Sequence, residues 1–150
     1  MTGEDKITAA QDFVDNGKCF ACGPENPVGL KLEFRQDETG RSVATFTPRE
    51  EFQGFAGVLH GGVVCALMDE AMAWALILRG MMPVTLSLSA KFRRPVRIGE
   101  EVAVSGEIVR NGLEKYVLGS EVRDKNGDLA AEAEGTFLVV SQVPESKRDS

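Results

Sequence analysis

The stretch Leu59-His60-Gly61-Gly62-Val63-Val64-Cys65-Ala66-Leu67-Met68-Asp69-Glu70 decides how this chain folds. From Val63 onward it is almost wholly apolar and reads as a buried helix, running from about Gly61 to Leu78 and ended by Arg79-Gly80. The only histidine of the chain and two glycines stand at its start. Gly-Gly is poor helix interior but a good helix start, because backbone there approaches a ligand closely. The first amides of a helix lack partners within it and carry partial positive charge. They suit an anion, or a carbonyl oxygen gaining negative charge. Two adjacent carboxylates, Asp69 and Glu70, interrupt the apolar run about two turns in. A carboxylate in an apolar helix is costly unless it is paired or used.

Strands flank this helix on both sides in sequence. Upstream, Leu30-Lys31-Leu32-Glu33-Phe34 alternates and reads as a strand. Asp37-Glu38-Thr39-Gly40 reads as a turn and Ser42 to Thr47 as the returning strand, with Pro48 to Phe55 a connecting loop. Downstream, Val84, Leu86, Leu88, Ala90 and Phe92 alternate with Thr85, Ser87, Ser89, Lys91 and Arg93. Further strands are expected over Val102 to Arg110, Lys115 to Arg123 and Leu129 to Val140, joined by turns at Asn111-Gly112 and Asn126-Gly127. The expectation is an α+β chain: a short β region, one long apolar helix, then a four-strand antiparallel meander. A single apolar helix between strands is buried only if the sheet wraps around it. The expected domain covers 19–142, after an N-terminal segment 1–18 and before a polar tail 143–150.

The length of 150 residues suits one such domain. A net charge of −6 argues against a nucleic-acid partner. The longest apolar stretch is broken by Asp69 and Glu70, so no membrane span is expected. The acidic start lacks a hydrophobic signal core, and three cysteines are an odd count; both fit a reducing, cytoplasmic setting. Cys19-Phe20-Ala21-Cys22-Gly23 looks like half a zinc knuckle, but a structural zinc site takes four ligands and the chain holds no second pair. A site shared between subunits is one reading. The reading adopted is a packed loop with no metal. Within the acidic chain, Lys91, Arg93, Arg94 and Arg97 form a basic cluster, either a solvated strand face or a landing site for a phosphate-rich ligand.

Spacing sharpens the helix reading. Gly62 and Asp69 are seven positions apart and share one helix face with the small residues Ala66 and Ala73. Along the axis they stand roughly 10 Å apart, too far for one chain to bring both to one reacting carbon. Two antiparallel copies of the helix would pair Gly62 of one with Asp69 of the other. The motif therefore suggests a homodimer with two equivalent composite sites. Against this stands a plain buried helix whose Asp69 and Glu70 make salt bridges. Glu70 lies about 100° around the helix from Asp69, so the two cannot share a role.

His60-Gly61-Gly62 followed by Asp69 resembles the hotdog-fold acyl-CoA thioesterases of the phenylacetic-acid-degradation (PaaI-like) type. Phe92-Arg93-Arg94-Pro95-Val96-Arg97-Ile98-Gly99-Glu100 is similar to that family's strand-end signature, and Cys19 through Leu30 resembles the opening of one subgroup. The resemblance implies a curved antiparallel sheet wrapped around the central helix, in homodimers usually assembled into tetramers. It implies hydrolysis of an acyl-CoA to free acid and CoA, with no cofactor beyond the coenzyme A of the substrate. Asp69 would attack the thioester carbon or activate a water, and the Gly62 amide would polarise the carbonyl. His60 would orient the site. Gln53 is a candidate amide near the reacting carbon, at an offset that differs from the family's. Thr85 falls near the position of a water-positioning hydroxyl; its alternation places it opposite Leu86 and Leu88, so it serves only if that polar face meets the partner's helix. Gly61 joins the substrate-binding set. Glu70 would line the pocket rim or pair with a basic group, and one of Arg93 and Arg94 would hold the phosphates, since neighbours on a strand face opposite ways. Trp74, Met68 and Met72 are divided between acyl pocket and plain core, with core favoured for at least two.

Two other readings compete with this one. A hotdog dehydratase or hydratase also pairs a histidine with a carboxylate, but here Asp69 follows His60 too soon. A non-catalytic acyl-CoA binder would keep the basic cluster and glycine amides and would not need Asp69.

Overall fold

In a computed structural model that describes residues 14–142, the apolar run forms one helix, α1 (Gly61–Ile77). His60 caps its start and Gly80, at φ +86°, closes its end by donating to the Ile77 carbonyl. Leu67, Met68, Ala71, Met72, Ala75 and Leu76 are fully buried along it. Trp74 is also core, stacked on Phe34 with ring centroids 6.0 Å apart. So Trp74, Met68 and Met72 all pack inside.

Six strands surround the helix: β1 (Arg35–Gln36), β2 (Ser42–Phe46), β3 (Met81–Phe92), β4 (Val102–Asn111), β5 (Lys115–Asp124) and β6 (Leu129–Gln142). They form one antiparallel sheet in the order β1-β2-β4-β5-β6-β3, and α1 touches every strand from β2 to β6. The expected α+β design, a sheet curved around one helix, is the observed one.

Two expectations need correction. Residues 30–34 are not a strand, although Leu30, Leu32 and Phe34 are buried as their alternation predicts. The amides of Leu30 and Leu32 donate instead to the carbonyls of Phe20 and Ala21, and Lys31 takes φ +54° between them. The four downstream strands are also not a simple meander. β4, β5 and β6 follow one another, but β3 pairs with β6 at the sheet edge and β4 pairs with β2. The β3–β4 connection runs instead along the loop that leads into α1. Leu59 donates to Val96, Ile98 to Gly57 and Gly99 to Pro48. Pro83 is tolerated in β3 because an edge strand has backbone groups with no ladder partner.

The helix lies very close to the sheet at one place. The Ser42 hydroxyl on β2 donates to the Ala71 carbonyl at 2.5 Å. On β4, a side-chain carbon at Gly106 would overlap that same carbonyl. Only hydrogen at this position lets α1 seat at its observed depth.

Candidate functional site

The sheet does not close completely around α1. Gly62, Ala66, Asp69 and Ala73 recur on one side of the helix, and none of them is buried. Asp69 sits half-buried on this open stripe and accepts a hydrogen bond from the Thr85 hydroxyl at 2.7 Å. Burial holds its carboxyl above the usual carboxylate range, and the Thr85 bond partly offsets this.

Thr85 reaches Asp69 of its own chain, which simple alternation along β3 forbids. The ladder with β6 supplies the reason. Thr85 lies opposite Phe137 and Ser87 opposite Thr136, so Leu86 is an extra, bulged residue. Phe137 is fully buried under the helix, and Thr85 shares its side of the sheet. Beyond the bulge, Leu88, Ala90 and Phe92 lie opposite Gly135, Ala133 and Ala131 on that same side. The bulge therefore puts Thr85 in phase with Leu88, and no partner helix is needed for it to meet a carboxylate.

At the helix tip, His60 Nδ1 accepts the Gly62 amide at 2.8 Å. This ring nitrogen is thus an acceptor, and the Gly62 donor is occupied within the chain. The neighbouring Gly61 amide has no hydrogen-bond acceptor among the described residues. A cleft of about 640 Å³ opens here, lined by His60, Gly61, Val64, Phe92, Arg93 and Arg94 among others. Asp69 is not part of its wall. Gln53 faces its own loop, where its side-chain oxygen accepts the Gly57 amide at 3.1 Å.

Arg93 and Arg94 both border this cleft, contrary to the expectation that strand alternation would turn one away. They follow the last residue of β3, and both amides donate to the single carbonyl of Ala130. Each is half-exposed and ion-paired, Arg93 to Glu132 at 3.1 Å and Arg94 to Asp128 at 3.1 Å. Such exposed pairs are weak and can be exchanged for a stronger anion.

Glu70 turns from the open stripe toward the N-terminal loop and meets no basic group among the described residues. Its carboxylate accepts the Trp74 indole N–H at 3.0 Å and lies 3.9 Å from the Cys19 sulfur. Burial first, then the neighbouring Cys19, pushes its carboxyl up to about 7. The Cys22 thiol is raised in turn by its bond with Cys19, by burial and by Glu70. Among the described residues Glu70 therefore forms no salt bridge, and it does not border the cleft. Its pairing with the cysteines joins segments far apart in sequence, and no periodicity signals it.

Comparison with known proteins bears on the family and the fold. Residues 56–131 match the family model of the thioesterase superfamily. An inferred esterase of Saccharolobus solfataricus is 30% identical over 112 residues, 73% of this chain and 79% of that protein. Acyl-coenzyme A thioesterase THEM4 of Bos taurus is 26% identical over 130 residues, 85% of this chain but 54% of the bovine one. Among solved structures, the E. coli PaaI protein of the phenylacetic acid degradation operon superposes with a TM-score of 0.70 at 21% identity, covering 77% of this chain and 84% of PaaI. A Streptococcus mutans protein solved with acetyl CoA bound gives 0.69 at 22% identity, covering 75% and 91%. The architecture is the hotdog fold.

Proposed function

We propose that this chain, which belongs to the thioesterase superfamily, hydrolyses an acyl-CoA thioester to a free acid and CoA. The observation that carries the reading is Asp69, held by Thr85 on a helix stripe that the chain's own sheet leaves open. Relatives named as acyl-CoA thioesterases, and a similar fold solved with acetyl CoA, support the substrate class.

The cleft beside the helix tip receives the thioester end of CoA, and Arg93 and Arg94 exchange their acidic partners for its phosphates. The Gly61 amide, with Gly62 where His60 releases it, polarises the thioester carbonyl. His60 sets the tip by capping it. Asp69 supplies the carboxylate that attacks the carbonyl carbon or takes a proton from the attacking water. With one oxygen fixed by Thr85, the other is the group presented to the reaction. A new C–O bond replaces the C–S bond, and the departing thiolate takes up a proton.

Asp69 and the helix tip stand roughly 10 Å apart on one helix, so each site is completed by a second copy across the open stripe. A homodimer is the assembly this calls for, and a dimer of such dimers is the larger form proposed with it. No resident cofactor enters the reaction; coenzyme A arrives with the substrate.

The test is thiol release across aryl, short-chain and long-chain acyl-CoA substrates. Turnover is expected for at least one class. Asp69→Asn is expected to lose about 10²–10⁴-fold in rate with unchanged circular dichroism. Undiminished release by the folded variant refutes the assignment.

A further inference from the structure

We propose that Cys19, Cys22 and Glu70 form a site for a thiophilic divalent metal ion, with Zn²⁺ the natural fit, fastening the N-terminal loop to α1. Their donor atoms, two sulfurs and one carboxylate oxygen, lie within 4.8 Å of one another. They are the one such group found among the described residues. A tetrahedral zinc, with Zn–S near 2.3 Å and Zn–O near 2.0–2.2 Å, places its donors roughly 3.5–3.8 Å apart. The Cys19 sulfur and Glu70 oxygen already stand 3.9 Å apart.

The loop is built to hold this arrangement. Gly23 donates to the Cys19 carbonyl at 2.8 Å, closing the turn that carries both cysteines. A side-chain carbon at Gly23 would overlap the backbone of Cys19 and the carbonyl of Gly17, so the turn admits glycine alone. Behind it, the Phe20 and Ala21 carbonyls are fixed by the amides of Leu30 and Leu32. On the helix side, the Trp74 indole donates to the Glu70 carboxylate at 3.0 Å. A hydrogen bond of this kind orients a ligand from outside the coordination sphere.

Charge points the same way. Two thiols and a carboxyl group are all groups that become anionic on losing a proton. The neighbours acting on Glu70 are Cys19, Cys22, Trp74 and Asp69, with no lysine or arginine among them. A bound dication offsets most of the charge of such a set; two soft sulfurs select a thiophilic metal over Mg²⁺ or Ca²⁺. Uptake forms two metal–sulfur bonds and one metal–oxygen bond, with water in the fourth position, and releases the thiol protons to solvent without redox change. The sequence shows only the Cys-x-x-Cys half of the site; folding brings the third ligand.

The experiment uses the full chain, purified with reductant, stripped with chelator and titrated with Co²⁺, then with Zn²⁺. Expected is about one equivalent per chain, intense visible bands of tetrahedral cobalt, a thiolate-to-cobalt band in the near ultraviolet, and loss of all of them as Zn²⁺ displaces the cobalt. Cys22→Ser and Glu70→Gln should each weaken uptake at least tenfold, while Cys65→Ser should match the parent. No thiolate band from the parent overturns the proposal. So does a band in Cys22→Ser that titrates with the parent's affinity, or recovery of Cys19 and Cys22 as a disulfide from cells lysed in alkylating agent. These readouts do not depend on thioester hydrolysis, so the two assignments stand or fall separately.

Discussion

Thr85 fixes one oxygen of Asp69, and the chemistry assigned to that carboxylate depends on which way it points. A hydrogen bond to a charged acceptor contributes about 1.5–3 kcal/mol, which corresponds to roughly a ten- to hundredfold effect on rate if it serves only the reactive orientation. Thr85→Ser should retain most hydrolysis and Thr85→Val should lose about that factor in kcat, with smaller change in KM. Equal activity of the two variants would show that the hydroxyl does not position Asp69. At this scale the sequence was only half legible. Asp69 and the helix-tip residues stand out because a carboxylate and glycines are conspicuous in an apolar run. The partners do not stand out: Gln53 binds its own loop, Glu70 faces two cysteines, and His60 caps Gly62. Each of these depends on a side-chain direction that composition leaves open.

The seat of α1 on the sheet is set by Ala71, Ser42 and Gly106. Gly106→Ala forces the Ala71 carbonyl and the helix outward and should lower stability by about 1–3 kcal/mol. Ser42→Ala should cost about 1 kcal/mol through the lost bond. Midpoints of urea unfolding measure both, and an unchanged midpoint for Gly106→Ala would mean the helix has slack there. Periodicity was a good guide to elements and to burial. It located α1 within a residue and marked Leu30, Leu32 and Phe34 as core. It failed on pairing, because the amides of 30–34 found carbonyls in the Cys19–Cys22 loop rather than in a strand. Alternation likewise cannot tell which edge a strand joins, and β3 went to β6 rather than to β4.

For the whole molecule, the open stripe on α1 and the cleft at its tip are separate features of one chain. If each site draws Asp69 from one copy and the helix tip from another, two inactive variants should rescue each other. Asp69→Asn removes the carboxylate, and Gly61→Leu fills the cleft mouth. After unfolding and refolding together in equal amounts, random pairing should restore about a quarter of the parental rate. An inactive mixture whose chains demonstrably assemble together would place both groups in one chain. The Gly62–Asp69 spacing is the part of this proposal that comes from the sequence, because seven residues of helix are too long for a single reacting carbon.

Leu86 is an exposed residue near the rim of the molecule, and it takes no place in the ladder with β6. Deleting it would leave Thr85 and Leu88 two positions apart, so both would keep their facing and the strand would run on without its bulge. The hydroxyl's place could not be counted off along the strand because of one amino acid that can be spared without turning anything over.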